Sequence, residues 1–366
     1  MTTTIRTATS DDYADVRDLM QRYGLATKAL DEWKHVCQCN PVLNQRTEPL
    51  PLGWALENNG KLVGFLGSIP AFCSFGGRRL LVTTANSWVV DEPYRSHSIA
   101  LLKRFLGQRE VDLFLNTTAG VASSKVWEAL GAKRMPLSSY GDVLFWITAP
   151  REVVRALLIH KNIPAAGALS FPLGLALRIG HLLRPTTSRE GKGSDVREIA
   201  SFDSRFDVFW NELKQGSTRL LSWRDAETLN WHFKYALAAN RARIVILEAG
   251  SRITAYAILC RADKPDLGLK RYHLADFQSL DNSETQHACG ALLRHSLELC
   301  RKEGVHVLEA IGFAPEKRAA LEKFAPLRRK FEAWPFYFKS RSAEIETALS
   351  AATAWDPSIY DGDGSL

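Results

Sequence analysis

Apolar positions recur at helical spacing in residues 11–23, where Tyr13, Val16, Leu19, Met20 and Tyr23 share one face. Ser10 stands where a cap belongs and Gly24 where a terminating glycine belongs, so the pattern predicts a helix between them. The run 4–8 before it alternates like a strand. Residues 28–51 are less regular. Two strand-like runs, 53–57 and 61–69, flank Asn58-Asn59-Gly60, and Asn-Gly is the strongest short hairpin signal. Residues 80–90 read as a longer strand. Residues 98–106 read as a helix with Ile99, Leu102, Phe105 and Leu106 inward, 111–116 as a buried strand, and 122–130 as a short helix ending at Gly131.

This order returns in the second half at an offset of roughly 190 residues, as an internal repeat requires. The segment from Leu56 to Phe65 aligns without gaps against that from Leu247 to Tyr256, and Val126 to Arg134 matches Ala320 to Arg328 in type. Between the copies, 165–183 is apolar except for Ser170, Arg178 and His181, but Pro172 and three glycines interrupt it. It reads as a packed helix or one lying on an anionic membrane face, a peripheral contact rather than a span. The polar, Gly-rich 185–194 reads as a linker. The expected division is 1–148 and 195–350 as two domains, 149–194 as helical segment and linker, and 351–366 as an extended tail docked by Trp355 and Tyr360.

Composition narrows this picture without redirecting it. The 366 residues include 46% apolar and 24% charged positions, which fits a folded chain and excludes collagen, coiled coil and disorder. The net charge of +7 suits an anionic small molecule or an acidic membrane, and no basic-aromatic stripe calls for nucleic acid. The six cysteines are scattered and the nine histidines lack ligand spacing, so reduced thiols and no metal are expected. Residues 1–12 lack an apolar core, so a signal peptide is not expected and a cytoplasmic setting is.

The chemistry concentrates at the end of the long strand. Val89-Val90 is followed by Asp91-Glu92-Pro93, then Tyr94-Arg95-Ser96-His97-Ser98-Ile99-Ala100, where a helix begins. Backbone N–H groups at such a junction lack internal partners and favour an anion. Small residues let a diphosphate approach, and Arg95 adds a cation. This segment resembles the signature of the GNAT superfamily of acyl-CoA-dependent N-acetyltransferases, an aromatic followed by R/Q-x-x-G-x-G/A, with Ser98 at the central glycine. The resemblance spans most of residues 3–147. It implies an α/β fold of two tandem GNAT-like mixed-sheet domains, acetyl-CoA or another acyl-CoA as cosubstrate, and a coenzyme site at Val89, Val90, Arg95, Ser96, His97, Ser98, Ile99 and Ala100. An amine acceptor would attack the thioester directly, with Val89–Val90 N–H groups polarising the carbonyl. Asn86 and Trp88 share the strand face that meets the acceptor in this fold. Trp127 stands where the family often has the tyrosine that protonates the thiolate.

The second half carries Phe277-Gln278-Ser279-Leu280-Asp281-Asn282-Ser283-Glu284 at the equivalent junction, without an arginine, and Asp281 and Glu284 would repel a diphosphate. One coenzyme per chain is therefore expected. Asp276, on a half-buried strand, needs a partner and reads as a raised-pKa base or an orienter of Arg224. Trp223, Trp231 and Phe233 read as core anchors, and His232 and His273 as structural histidines. The segment around Trp223-Arg224-Asp225 also resembles GNAT-like proteins of bacterial exopolysaccharide clusters, which implies an amino-sugar or polysaccharide-precursor acceptor. Two alternatives stay open: an aminoacyl-tRNA-dependent transferase, and a non-catalytic partner in envelope polysaccharide assembly.

Overall fold

The computed structural model describes residues 3–182, 195–280, 285–330 and 335–366. Its strands form two mixed sheets. In the first, the order is Thr3–Thr7, Gly53–Asn58, Lys61–Phe75, Arg78–Val90, Leu113–Asn116, Tyr337–Ser340 and Lys133–Arg134, with Leu221–Ser222 also pairing Lys61–Phe75. In the second it is Leu327–Lys330, Asp142–Ile147, Val307–Ala310, Arg271–Ser279, Arg252–Arg261, Ala242–Ala249 and Asp195–Ile199. Among the described residues each sheet has one parallel pair, Arg78–Val90 with Leu113–Asn116 and Arg271–Ser279 with Val307–Ala310.

The sheets do not stop at the boundaries read from sequence. Asp142–Ile147 crosses into the second sheet, between Val307–Ala310 and Leu327–Lys330. Tyr337–Ser340 crosses back into the first, between Leu113–Asn116 and Lys133–Arg134. The halves are thus stitched by an exchanged strand in each direction.

Local chemistry accounts for the elements that frame the site. Asn59 and Gly60 have φ of 51° and 76°, the two left-handed positions of the turn joining Gly53–Asn58 to Lys61–Phe75. Helix Ser98–Leu106 buries Leu101, Leu102 and Phe105 against Leu56, Leu66 and Phe114. Ile99, expected inward, is 45% exposed, and the buried face runs instead through Leu101, Leu102 and Phe105. In the second half, helix Thr285–Lys302 packs Leu292 and Leu299 on Val245, Leu259 and Leu308. Each such buried side chain contributes about 1.5–3 kcal/mol.

Residues 28–51, irregular by pattern, contain two helices, Leu30–Gln38 and Pro41–Asn44. Asn40 caps the second by accepting from the Val42 N–H, with Pro41 at its first position. Helices Pro150–His160 and Ala166–Leu182 form a hairpin in which Gly174 lies against the Arg151 backbone, too close for any side chain. Leu157, Phe171, Leu173 and Leu175 are exposed on it. No helix among the described residues is long and apolar enough to cross a membrane. The expected linker 185–194 lies outside the described residues.

Candidate active site

The parallel pair of the first sheet is short. Arg78–Val90 and Leu113–Asn116 are in register only from Val82–Leu113 to Thr84–Leu115, and then they part. Arg78–Val90 continues, held on its other edge by Lys61–Phe75 as far as Gly64–Val90. Within that stretch Ser87 and Trp88 face Leu66 alone, a bulge that puts Ser87 at a φ of 50°. The Asp91 N–H donates to Val63, so strand alternation turns the Val90 N–H to the open edge. The gap is a crevice of about 880 Å³, walled by Asn86, Ser87 and Trp88 on one side and by Asn116, Thr118 and the start of helix Val121–Ala129 on the other.

The signature segment continues from this crevice. Glu92–His97 is a 3₁₀ turn, and helix Ser98–Leu106 starts without a side-chain cap. The Ser98 N–H donates to the Arg95 carbonyl oxygen, so the 3₁₀ turn runs directly into the helix. Arg95 and Ser96 are exposed, and His97, Ser98 and Ala100 are partly so. Arg95 makes one long pair with Glu92 at 3.4 Å between two exposed side chains. A worthwhile share of its charge is available to a ligand.

A second cavity, of about 500 Å³, meets the crevice at Lys28, Glu32, Thr118 and Arg241. It lies between the helix Leu30–Gln38 and the second half, with Trp231 and Tyr235 on one wall and Arg261, Arg271 and His273 on another. Lys28 pairs with Glu32 at 2.9 Å and donates to the Leu366 carbonyl oxygen at 2.8 Å. Arg271 and His273 pair with Glu309. His232 is buried, bonds Ser365 and is pushed down to about 3, chiefly by burial, so it is neutral and a poor base.

Asp363 stands where the crevice receives the tail. Its carboxylate accepts from Thr117 Oγ1 at 2.9 Å and from Thr118 Oγ1 at 3.1 Å. Burial raises its pKa, and the two hydroxyls oppose that rise without cancelling it. A carboxylate of raised pKa facing a cleft is the composition of a general base. Nothing in the sequence pattern pointed to it, because a polar Asp-Gly-Asp-Gly stretch looks like loose tail.

The second sheet parts at the same place but its gap is filled. Pairing between Arg271–Ser279 and Val307–Ala310 ends at Leu274–Ala310, and Ala275 bulges out of the ladder. The tail enters there. Phe313 N–H donates to Pro357 at 2.5 Å and Tyr360 N–H to Ala275 at 3.0 Å. Arg224, fully buried, makes a two-point pair with Asp276 at 2.9 and 3.1 Å and reaches Asp361 at 3.4 Å. Tyr256, Gln278 and Ser358 complete the Asp276 shell.

The residues singled out from sequence therefore separate. Asn86 lines the crevice, Val90 is buried beyond its lining with its N–H turned to the open strand edge, and Arg95, Ser96, His97, Ser98, Ile99 and Ala100 form the turn past it. Val89 is buried in the core and lines neither the crevice nor the second cavity. Trp127 is also a core residue, fully buried against Phe105 at 5.8 Å, so it reaches no thiolate. Asp276 is corrected in direction. Burial would raise it, but the Arg224 charge holds it below the usual carboxylate value, and it lines neither cavity. It orients Arg224 and holds the tail. The junction carboxylates Asp281 and Glu284 lie outside the described residues.

No protein-family model matches the chain, and no curated protein matches it in sequence. Solved structures do match. A conserved protein of unknown function from Enterococcus faecalis V583, described as a probable N-acyltransferase, is 11% identical, with 95% of this chain and 74% of that one covered at a TM-score of 0.58. A GCN5-related N-acetyltransferase from Anabaena variabilis is 10% identical over 93% and 73%, at 0.56. Saccharomyces cerevisiae N-myristoyltransferase, solved with myristoyl-CoA, is 12% identical over 93% and 79%, at 0.59. The likeness is one of fold: two mixed sheets arranged as in GNAT-type N-acyltransferases.

Proposed function

We propose that the chain is an acyl-CoA-dependent N-acyltransferase with one coenzyme site, in the first half, and an amine acceptor that enters through the 500 Å³ cavity. The observation that carries this is one crevice lined by Asn86, Ser87 and Trp88 on a parted strand and by Asp363, a carboxylate of raised pKa. The diphosphate would sit at the turn Tyr94–Ala100, where the exposed Arg95 supplies a cation. The thioester would lie in the crevice with its carbonyl oxygen at the Val90 N–H and the bulge. Asp363 takes the proton of the acceptor ammonium. The amine nitrogen bonds to the carbonyl carbon, the carbon–sulfur bond breaks, and the surplus proton on the nitrogen passes through water to the departing coenzyme A thiolate. Trp231 and Tyr235 supply apolar faces for the acceptor, which suits the amino-sugar reading.

Thermal unfolding with coenzyme A tests the first step: ligand at 100 times its dissociation constant adds about 2.7 kcal/mol. Titration calorimetry should give one site per chain, because the tail fills the second crevice. Thiol release from acetyl-CoA across a panel of amines tests the second step. Asp363→Asn is expected to lose turnover at least tenfold and keep coenzyme binding. Coenzyme binding without turnover on any amine supports a non-catalytic partner instead. No coenzyme binding removes the reading.

The helical hairpin carries a second, peripheral role in this proposal. Leu157, Phe171, Leu173 and Leu175 lie exposed on an element that also bears Arg151, Arg155 and Lys161, the composition of a helix resting on an anionic bilayer. Sedimentation with vesicles containing anionic lipid, but not with neutral vesicles, is the expected result.

A further inference from the structure

Beside the crevice lies a smaller cavity that the reaction outlined above leaves unused. It encloses about 80 Å³ and is walled by Trp33, Val36, Leu43, Leu50 and Phe65. It opens into the crevice at Met20, Ile69, Asn86 and Ser87, residues that line both. The opening therefore sits at the bulge, where the thioester carbonyl is placed.

Asn86 and Ser87 stand at its mouth, and Ser68, Lys28 and Cys37 are answered or neutral. Ser68 Oγ shares a 2.7 Å hydrogen bond with Thr83 Oγ1. Lys28, at the mouth, is paired with Glu32. Burial pushes the Cys37 thiol up to about 12, so it is neutral. Beyond the mouth, a wall of this kind offers little to a charged or hydrogen-bonding ligand and much to hydrocarbon. Tight packing is the rule in protein interiors, and a space this large, apolar and open to a substrate channel is an unfilled contact surface.

We propose that this cavity is the acyl-chain subsite and that the preferred donor is a medium-chain acyl-CoA rather than acetyl-CoA. The inference rests on the coenzyme site proposed above. Its capacity follows from volume. One water-sized group needs about 10–15 Å³ in this measure, so about 80 Å³ holds roughly five to eight methylene-sized groups. That spans hexanoyl to nonanoyl chains. Acetyl leaves the pocket empty and myristoyl overfills it.

The test is calorimetry on the full chain with coenzyme A and its acetyl, hexanoyl, octanoyl and myristoyl thioesters. Affinity is expected to rise from acetyl to octanoyl by up to about fourfold per methylene, and to fall at myristoyl. Equal affinity for the acetyl and octanoyl thioesters overturns the subsite while leaving the coenzyme site standing. A rise that continues to myristoyl also overturns it, since the chain must then lie elsewhere. Failure of free coenzyme A itself to bind removes the site on which the subsite depends. Leu43→Trp, which fills the cavity, should bring the octanoyl-to-acetyl affinity ratio to about one. A ratio unchanged from the parent counts against the proposal.

Discussion

Gly67 exists to make room for Asn86: a Cβ at position 67 falls well inside contact distance of the Asn86 carboxamide oxygen and close to the Asn86 carbonyl. The two are directly opposed across the Lys61–Phe75 and Arg78–Val90 pair, one step from the bulge. Gly67→Ala is expected to cost about 1–3 kcal/mol by overpacking. Asn86→Ala added to it should recover most of that loss, since the clash is with the carboxamide. Urea unfolding of both variants and the double variant checks this. Strict additivity would show that the clash is relieved elsewhere.

Arg95→Ala should leave stability within about 0.5 kcal/mol, because the side chain is exposed and its pair with Glu92 is long. It should weaken coenzyme A binding by about 1.5–3 kcal/mol, the worth of a charge-assisted hydrogen bond, or roughly ten- to a hundredfold. Calorimetry separates the two effects. Unchanged affinity places the diphosphate elsewhere.

Arg224→Leu leaves Asp276 buried without its counter-ion and is expected to cost about 3–5 kcal/mol. It also frees the tail, since Arg224 bridges Asp276 to Asp361. Limited proteolysis should then cleave after residue 350 much faster than in the parent. A protease pattern identical to the parent would show that Trp355 and Tyr360 hold the tail unaided.

Stability should fall in mild acid, with His232 as one source. Folded, this histidine titrates at about 3 against an ordinary 6.5. Between those values the unfolded chain binds a proton that the folded chain refuses, so stability drops as pH falls, by up to about 1.4 kcal/mol per pH unit. Asp361 and Asp363, raised by burial, act in the opposite sense. The check is therefore a comparison: His232→Gln should have a shallower acid limb between pH 6.5 and 4.5 than the parent. Parallel limbs would show that His232 becomes charged in the folded state.

What the sequence could reveal depended on how local each signal is. Asn59-Gly60 specifies its own turn, and the face of Leu102 and Phe105 specifies its own helix. The helix Leu30–Gln38 had a readable face at Leu30, Trp33, Val36 and Cys37, and the Asn40-Pro41 pair after it was a readable start for the next helix. The first was hidden among the charged residues Asp31, Glu32 and Lys34. Trp127 was misplaced for a different reason. Its position in the motif is fixed by spacing, but whether a side chain meets the cleft or the core depends on helix rotation, which Phe105 decides by packing. Asp363 and the clamp on Asp276 depend on a tail docking across the whole molecule. A segment of four such polar residues carries no local sign of its destination.

The exchanged strands also set a timetable for synthesis. Leu113–Asn116 and Lys133–Arg134 receive their shared neighbour, Tyr337–Ser340, only after roughly 200 more residues have been made. At ordinary rates of elongation that interval is about 10–40 seconds. Through it the first half of the nascent chain holds a sheet with an unpaired edge, the condition that invites pairing with another chain. Lys133 and Arg134, at the margin of that gap, put two exposed positive charges beside it, and like charges on neighbouring nascent chains repel. The last strand therefore does more than complete a sheet: its arrival ends the period in which the newborn chain has to be kept apart from its own copies.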